Sequence, residues 1–425
     1  MNNIIERKNM NFLEFAQTPP RGWNSWDCYG ASVTEDEVKA NADFVAKNLK
    51  QYGWNYIVVD IQWSEPTSVT SIYNNFVPLC MDEYSRLIPA ENRFPSSANG
   101  QGFKPLADYV HKLGLKFGIH IMRGIPKQAV YNRTAIKGTS MKANQLAVNN
   151  ICPWNTDMYG VNPELPEAQI YYDSLLELYT AWDVDFLKVD DIANSRLFDC
   201  HKGEIELIRR AIDKTGKEIV LSLSPGPTAI ENGAFMQNNA NMWRLTDDFW
   251  DIWEHLENMF ERCEKWAPFI RKGNWIDCDM LPLGHLAIRS EEVGAGERMT
   301  RFTKGEQRML MSLWTIVQSP LFYGGDFIDC KEEELELLTN EEVLKMHNTL
   351  NSSRQIYRDA GKAVWRGESD TSVYYGVFNL SEAAITVDIK DLRGENQSFY
   401  DMWNKKEAAD TLTIPEHDAI LIKVI

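Results

Sequence analysis

The sequence predicts an α/β chain: a (β/α)8 barrel followed by a small C-terminal antiparallel β-sandwich. Three observations carry that prediction. Apolar, β-branched runs alternate with helix-like segments until eight strand candidates have passed. Most of these runs end on acids or other polar residues, although strands buried on both faces should be apolar. From about residue 348 the pattern changes to short period-2 runs with turn residues between them. The expected division is residues 1–347 for the barrel and 348–425 for the sandwich. About 75 residues make a marginal domain alone, so the sandwich should pack on the barrel. An open doubly wound sheet is the rival, but neither GxGxxG nor GxxxxGK[ST] follows any strand.

The elements follow in order. Residues 22–26 open the series. Thr34 with Glu37 three positions on is a capping-box pattern. Val38, Ala42, Val45 and Leu49 then share one helix face, and Gly53 stops the helix. Residues 54–60 are the second strand and 115–122 the third, after a helical segment near 104–111. Residues 185–192 are the fourth, after a helix over 166–182. Residues 218–224, 242–248 and 274–280 follow, and 321–326 close the series after a helix over 304–318. In the C-terminal part the runs are 363–365, 372–379, 384–389, 398–403 and 419–425.

Composition narrows the function. The formal net charge is −17 with a pI near 5.0, which repels a nucleic-acid backbone or an anionic membrane. No apolar run reaches the roughly 20 residues of a membrane span. The N-terminal residues carry acids and lack the apolar stretch of a secretory signal, so the expected location is cytoplasmic. Seven cysteines stand singly and read as free thiols. No zinc-like spacing of Cys or His occurs, so the expected metals and cofactors are none.

In a barrel, chemistry sits at the C-terminal ends of the strands. Those ends carry Trp26 with Asp27, Asp60 with Trp63, His120, Lys188 with Asp190 and Asp191, Ser224, Arg244 with Asp247 and Asp248, Asp277 with Asp279, and Asp326. Period 2 puts Lys188 and Asp190 on one side of their strand, opposite Leu187 and Val189. A cation beside an inward Asp would keep it ionised and nucleophilic; a structural ion pair at the rim is the alternative. Two inward carboxylates with Trp and Arg nearby suit glycoside cleavage, whereas a divalent-metal site of a lyase or isomerase barrel would use similar acids. Trp26, Trp63, Trp243, Trp250 and Trp253 fall at or after strand ends, where an indole face can carry a sugar ring. His120 reads as a polar rim contact, and Glu332, Glu333, Glu334 and Glu336 as a solvated helix face.

Six motifs in order make the sequence resemble glycoside hydrolase family 27, the α-galactosidase and α-N-acetylgalactosaminidase family. They are RGWNSW at 21–26, VDIQW at 59–63, LKVD at 187–190, WRLTDD at 243–248, WIDCDML at 275–281 and SPLF at 319–322. The resemblance implies a retaining hydrolase of a terminal α-D-galactosyl or α-N-acetylgalactosaminyl residue. It implies Asp190 as nucleophile, Asp248 as acid/base, and Trp26, Asp60, Trp63, Lys188, Ser224 and Arg244 as sugar-binding residues, with Asp277 and Asp279 in support. The partner is then a small-molecule carbohydrate, with no nucleic acid or membrane; a homo-oligomer is left open. Two departures stand out. Ile61 replaces an acid that the family uses to read ring hydroxyls, which weakens a standard galactose pocket; a pyranoside without C6, such as a β-L-arabinopyranoside, would fit there and is the alternative substrate. A small Ser224 would leave room for an N-acetyl group. The segment 123–163 is long enough to form a rim over the pocket.

Overall fold

The computed structural model describes residues 11–70, 72–289, 294–395 and 397–425. Eight parallel strands form the barrel: β1 (Arg21–Asn24), β2 (Tyr56–Val59), β3 (Lys116–Met122), β4 (Phe186–Asp190), β5 (Val220–Leu223), β6 (Met242–Arg244), β7 (Trp275–Asp277) and β8 (Leu321–Tyr323). From β1 to β7 each strand pairs with the next in chain order, and β1 also pairs with β8. Leu281, just past β7, makes a parallel bridge to Tyr323, which joins the two ends of the sheet. The ring of hydrogen bonds rules out the open doubly wound sheet.

The helices form as their sequences dictate. The capping box predicted at Thr34 is present: the Glu37 carboxylate accepts from the Thr34 backbone N–H at 2.9 Å. It starts α1 (Glu35–Asn48), whose Val38, Ala42 and Val45 are buried. Then come α2 (Lys104–Lys112), α3 (Pro166–Ala181), α4 (Lys202–Thr215), α5 (Gly233–Asn239), α6 (Trp253–Trp266) and α7 (Lys304–Ile316). Pro166 stands in the first turn of α3, where its missing N–H costs nothing. Strand side chains such as Leu187, Val189, Leu221 and Leu223 are fully buried in the main core.

The antiparallel part begins at β9 (Ser352–Arg358). It continues with β10 (Lys362–Glu368), β11 (Val373–Asn379), β12 (Ile385–Asp388), β13 (Phe399–Asp401), β14 (Lys406–Ala408), β15 (Thr411–Ile414) and β16 (Ala419–Val424). Six of these form one sheet, and β12 pairs with β15 separately. Period 2 divides the larger sheet cleanly. Ala363, Trp365, Tyr374, Phe378 and Leu421 belong to the barrel's core, and Val364, Tyr375, Val377 and Ile422 to a second core shared with β12 and β15. The sandwich is therefore joined to the barrel through apolar contact. The sequence runs missed β9, β14 and β15, which are short or carry mostly exposed polar residues.

One surface expectation is corrected. Glu334 is not solvated with its neighbours Glu332, Glu333 and Glu336; it is buried and accepts a hydrogen bond from the Tyr323 hydroxyl at 3.1 Å. None of the helices among the described residues is long and apolar enough to cross a membrane. All seven cysteines are free thiols.

Candidate active site

A cavity of about 200 Å³ opens at the C-terminal ends of the strands. Asp60, Lys188, Asp190, Arg244, Asp248 and Asp279 line it, together with Trp26 and Asp27. Each reaches the mouth because it ends or just follows a strand whose earlier residues are apolar and buried. A larger groove of about 690 Å³ runs beside Trp403, but Lys304 and Arg308 there are already paired with Glu333 and Asp418. It brings together none of the strand-end acids.

The β2 and β4 ends share one charge network. Lys188 donates to Asp60 at 2.8 Å, and Asn24 donates to the same oxygen at 2.8 Å. The direct partner of Lys188 is thus Asp60, not Asp190 as the strand parity suggested. Burial would raise the Asp60 carboxyl, but the Lys188 and His120 charges outweigh it and hold it well below the usual range. Asp190 instead meets the ring Nε2 of His120 at 3.2 Å, and its other oxygen accepts the Asp191 backbone N–H at 2.8 Å. Burial again pulls its carboxyl up; the His120 hydrogen bond and the Lys188 charge win and hold it below the usual range. An ionised, two-point-fixed carboxylate at the cavity wall can act as a nucleophile. His120 is more than a rim contact.

Asp191 faces away, as parity predicted. It is buried with φ near 53° and pairs with Arg123 at 2.7 Å. Arg123 also donates to the Asp191 carbonyl at 2.6 Å and to the Asn150 carbonyl at 3.0 Å. This one guanidinium therefore ties the turn after Asp190 to the segment 123–163. Desolvation lifts the Asp191 carboxyl to about 6, with Arg123 opposing.

The opposite wall is built around Arg244. It holds Asp279 at 2.8 Å and Asp248 at 3.1 Å. Burial pushes the Asp279 carboxyl up despite Arg244, and the Asp248 and Asp277 charges push the same way. Asp277 is buried beneath and fixes the turn by accepting the Asp279 N–H at 2.9 Å. Asp248 is 58% exposed, so burial does not surround it as a general acid's proton would suggest.

The aromatic side comes from loops. Trp26 stacks on Tyr73 with centroids 5.7 Å apart and planes 17° from parallel, and Tyr73 meets Trp154 at 5.7 Å. Tyr73 and Trp154 escaped the sequence reading. Trp154 lies in the 123–163 segment, whose length was the available signal; Tyr73 had none. Of the five strand-end tryptophans, only Trp26 lines the cavity. Trp63 packs against Phe103 and Trp182 and donates to the His120 carbonyl at 2.6 Å, so it supports the strand from the core side. Trp243 and Trp250 are buried, and Trp253 stacks on His417. Ser224 is 1% exposed and lies behind the wall, where its neighbour Pro225 lines the cavity instead. Ile61 does line it, packed with Met122, Cys152 and Met158.

The chain is similar to known proteins over most of its length. A family model described as alpha galactosidase A matches residues 161–349. The guar (Cyamopsis tetragonoloba) alpha-galactosidase is 26% identical over 94% of this chain and 86% of its own. A Geobacillus stearothermophilus β-L-arabinopyranosidase of glycoside hydrolase family 27 is 54% identical. Its structure covers 98% of this chain and 99% of its own at a TM-score of 0.95. The chain belongs to glycoside hydrolase family 27. It hydrolyses glycosidic bonds in carbohydrate substrates. A Bacillus halodurans protein, provisionally described as an alpha-N-acetylgalactosaminidase, is 50% identical with a TM-score of 0.86; the match covers 96% of this chain and 97% of its own.

Proposed function

We propose that this family 27 enzyme removes terminal β-L-arabinopyranosyl residues by a retaining double displacement. The sugar assignment rests on Ile61. It is 4% exposed and sits in an apolar patch with Met122, Cys152 and Met158, flanked by Trp26, Tyr73 and Trp154. β-L-Arabinopyranose is the galactopyranose ring without its C6 hydroxymethyl. A hydroxymethyl facing this patch would forgo a charge-assisted hydrogen bond, about 1.5–3 kcal/mol. The named activity of the 54% identical Geobacillus enzyme supports the same sugar. The case for an N-acetyl group weakens, because Ser224 does not line the cavity. α-Galactosides are the slower second substrates, since Trp26, Asp60, Lys188 and Arg244 still line the same cavity.

In the proposed mechanism Asp190 attacks the anomeric carbon and the glycosidic C–O bond breaks. Asp248 gives its proton to the departing oxygen. A water then attacks the same carbon, Asp248 takes its proton, and the bond to Asp190 breaks. Two inversions restore the starting configuration. His120 and the Asp191 N–H keep the Asp190 carboxylate aimed, and Arg244 keeps Asp248 at the rim where water reaches it.

The test is kcat/KM on aryl β-L-arabinopyranoside, α-D-galactoside and α-N-acetylgalactosaminide. The arabinopyranoside should lead. Ile61→Asp should shift the galactoside-to-arabinopyranoside ratio by roughly tenfold, near the lower end of that hydrogen-bond range. A wild-type preference for either galactose-type substrate, or an unmoved ratio in the variant, would overturn the sugar assignment.

A further inference from the structure

Asp27 lines the same cavity and has no role in the mechanism above. It stands on the short helix Trp26–Tyr29 directly after β1, and its backbone carbonyl accepts the Ala287 N–H at 2.7 Å. The residue is 2% exposed, and its Oδ2 has no hydrogen-bond partner among the described residues. That oxygen lies against the backbone of Gly324, where any Cβ would come within 2.0 Å of it. A buried carboxylate oxygen with no donor is costly as an ion. The surroundings add to the cost. Burial pushes the Asp27 carboxyl well above the usual range, and Asp279 pushes the same way; Lys188 opposes, and Asp248 and Asp60 raise it further. The pocket therefore holds acids in two conditions. Lys188 and hydrogen-bond donors keep Asp60 and Asp190 ionised, whereas at Asp27 burial and the neighbouring acids outweigh Lys188 and Oδ2 has no donor.

We propose that Asp27 is a specificity-determining residue that works as an uncharged carboxylic acid: with Oδ2 packed on Gly324, its other oxygen, Oδ1, donates its O–H to one ring hydroxyl of the bound glycone. This rests on the reading of the cavity as the glycone site. A sugar hydroxyl is a good acceptor for such a donor. The carboxylates and cations elsewhere in the pocket accept from, or donate to, the other hydroxyls. A neutral donor also adds no further negative charge to a wall that already carries Asp248 and Asp279.

The test compares wild type, Asp27→Asn and Asp27→Ala on p-nitrophenyl β-L-arabinopyranoside and its 2-, 3- and 4-deoxy analogues, with Tm measured for each protein. Asn keeps an N–H donor and cannot ionise. It should stay within about threefold of wild type in kcat/KM, while Ala loses roughly tenfold, the size of one net neutral hydrogen bond at the upper end of its range. The Ala loss should vanish on one deoxy substrate only, the one lacking the hydroxyl that Asp27 meets. An Asn variant as impaired as Ala would overturn the uncharged-donor role. So would an Ala loss equal on all deoxy substrates, or an Ala variant as active as wild type. A wild type inactive on the arabinopyranoside but active on another aryl glycoside would fault the sugar assignment instead. The same series run on that glycoside then judges Asp27.

Discussion

The two proposed catalytic carboxylates sit in opposite surroundings. Asp190 ends a strand, its side chain is 15% exposed, and both of its oxygens are engaged, one by His120 and one by the Asp191 N–H. Asp248 stands in the loop after β6, more than half exposed, and among the described residues its side chain is held only by a guanidinium that it shares with Asp279. The contrast matches two tasks. A nucleophile must stay ionised and hit one carbon, so rigidity and nearby positive charge help it. An acid/base must gain and lose a proton in each turnover, so access to water and a looser tether help it.

Removing the rigid member should cost most. Asp190→Ala is expected to lower kcat by about 10⁴-fold or more, a loss of the size seen when a nucleophile is deleted elsewhere. Near-normal turnover would end its assignment. Its pH behaviour sharpens the point. The Asp190 carboxyl is held below its ordinary 3.8, so it remains charged down to that pH. The loss of kcat/KM assigned to its protonation should therefore begin only below about pH 4. An acid limb centred near pH 6 and traced to Asp190 would contradict the charge network.

Removing the looser member should cost less, and unevenly. Asp248→Ala is expected to lose about 10²–10⁴-fold on alkyl glycosides, the usual contribution of general acid catalysis. The loss on dinitrophenyl glycosides should be far smaller, because that leaving group needs no proton. Equal losses on both substrates would refute the acid role.

The smallest effect on turnover is expected at Asp191, the carboxylate next to Asp190 in sequence. Asp191→Ala should retain most of kcat when assayed well below its melting temperature. It removes the nearer carboxylate partner of Arg123 and leaves Glu204 at 3.4 Å, so Tm should fall, by less than the about 3–5 kcal/mol typical of a buried charge left with no partner. A collapse of kcat in a protein of unchanged Tm would mean that Asp191, not Asp190, carries the chemistry.

Much of this was legible in the sequence, for reasons that can be named. The eight barrel strands were found because each is a short apolar run broken by polar residues at its C-terminal end. That break is the site itself. Parity separated Asp190 from Asp191 correctly because β4 is regular up to Asp190. Position just past a strand end did not tell which way a side chain faces, because the backbone turns there. Trp63 and Ser224 follow β2 and β5, and the loops carry both behind the wall. Pairing was also out of reach. Lys188 is two residues from Asp190 yet bonds Asp60 on another strand, and only the closed ring brings those two together. Tyr73 and Trp154 come from long loops, where neither period 2 nor period 3.6 applies.

The size of the cavity has a consequence for how the enzyme would meet a polymer. About 200 Å³ is below the roughly 300–1,000 Å³ typical of sites for drug-sized ligands. Trp26, Tyr73 and Trp154 wall one side, and the strand ends form the floor. On the proposed reading, the pit admits one terminal ring and leaves the rest of the glycan outside. A branched polysaccharide is then a supply of tips rather than a length of chain. Its decorations come off one at a time, its backbone keeps its length, and the speed of the process is set by how many tips each gram of polymer carries.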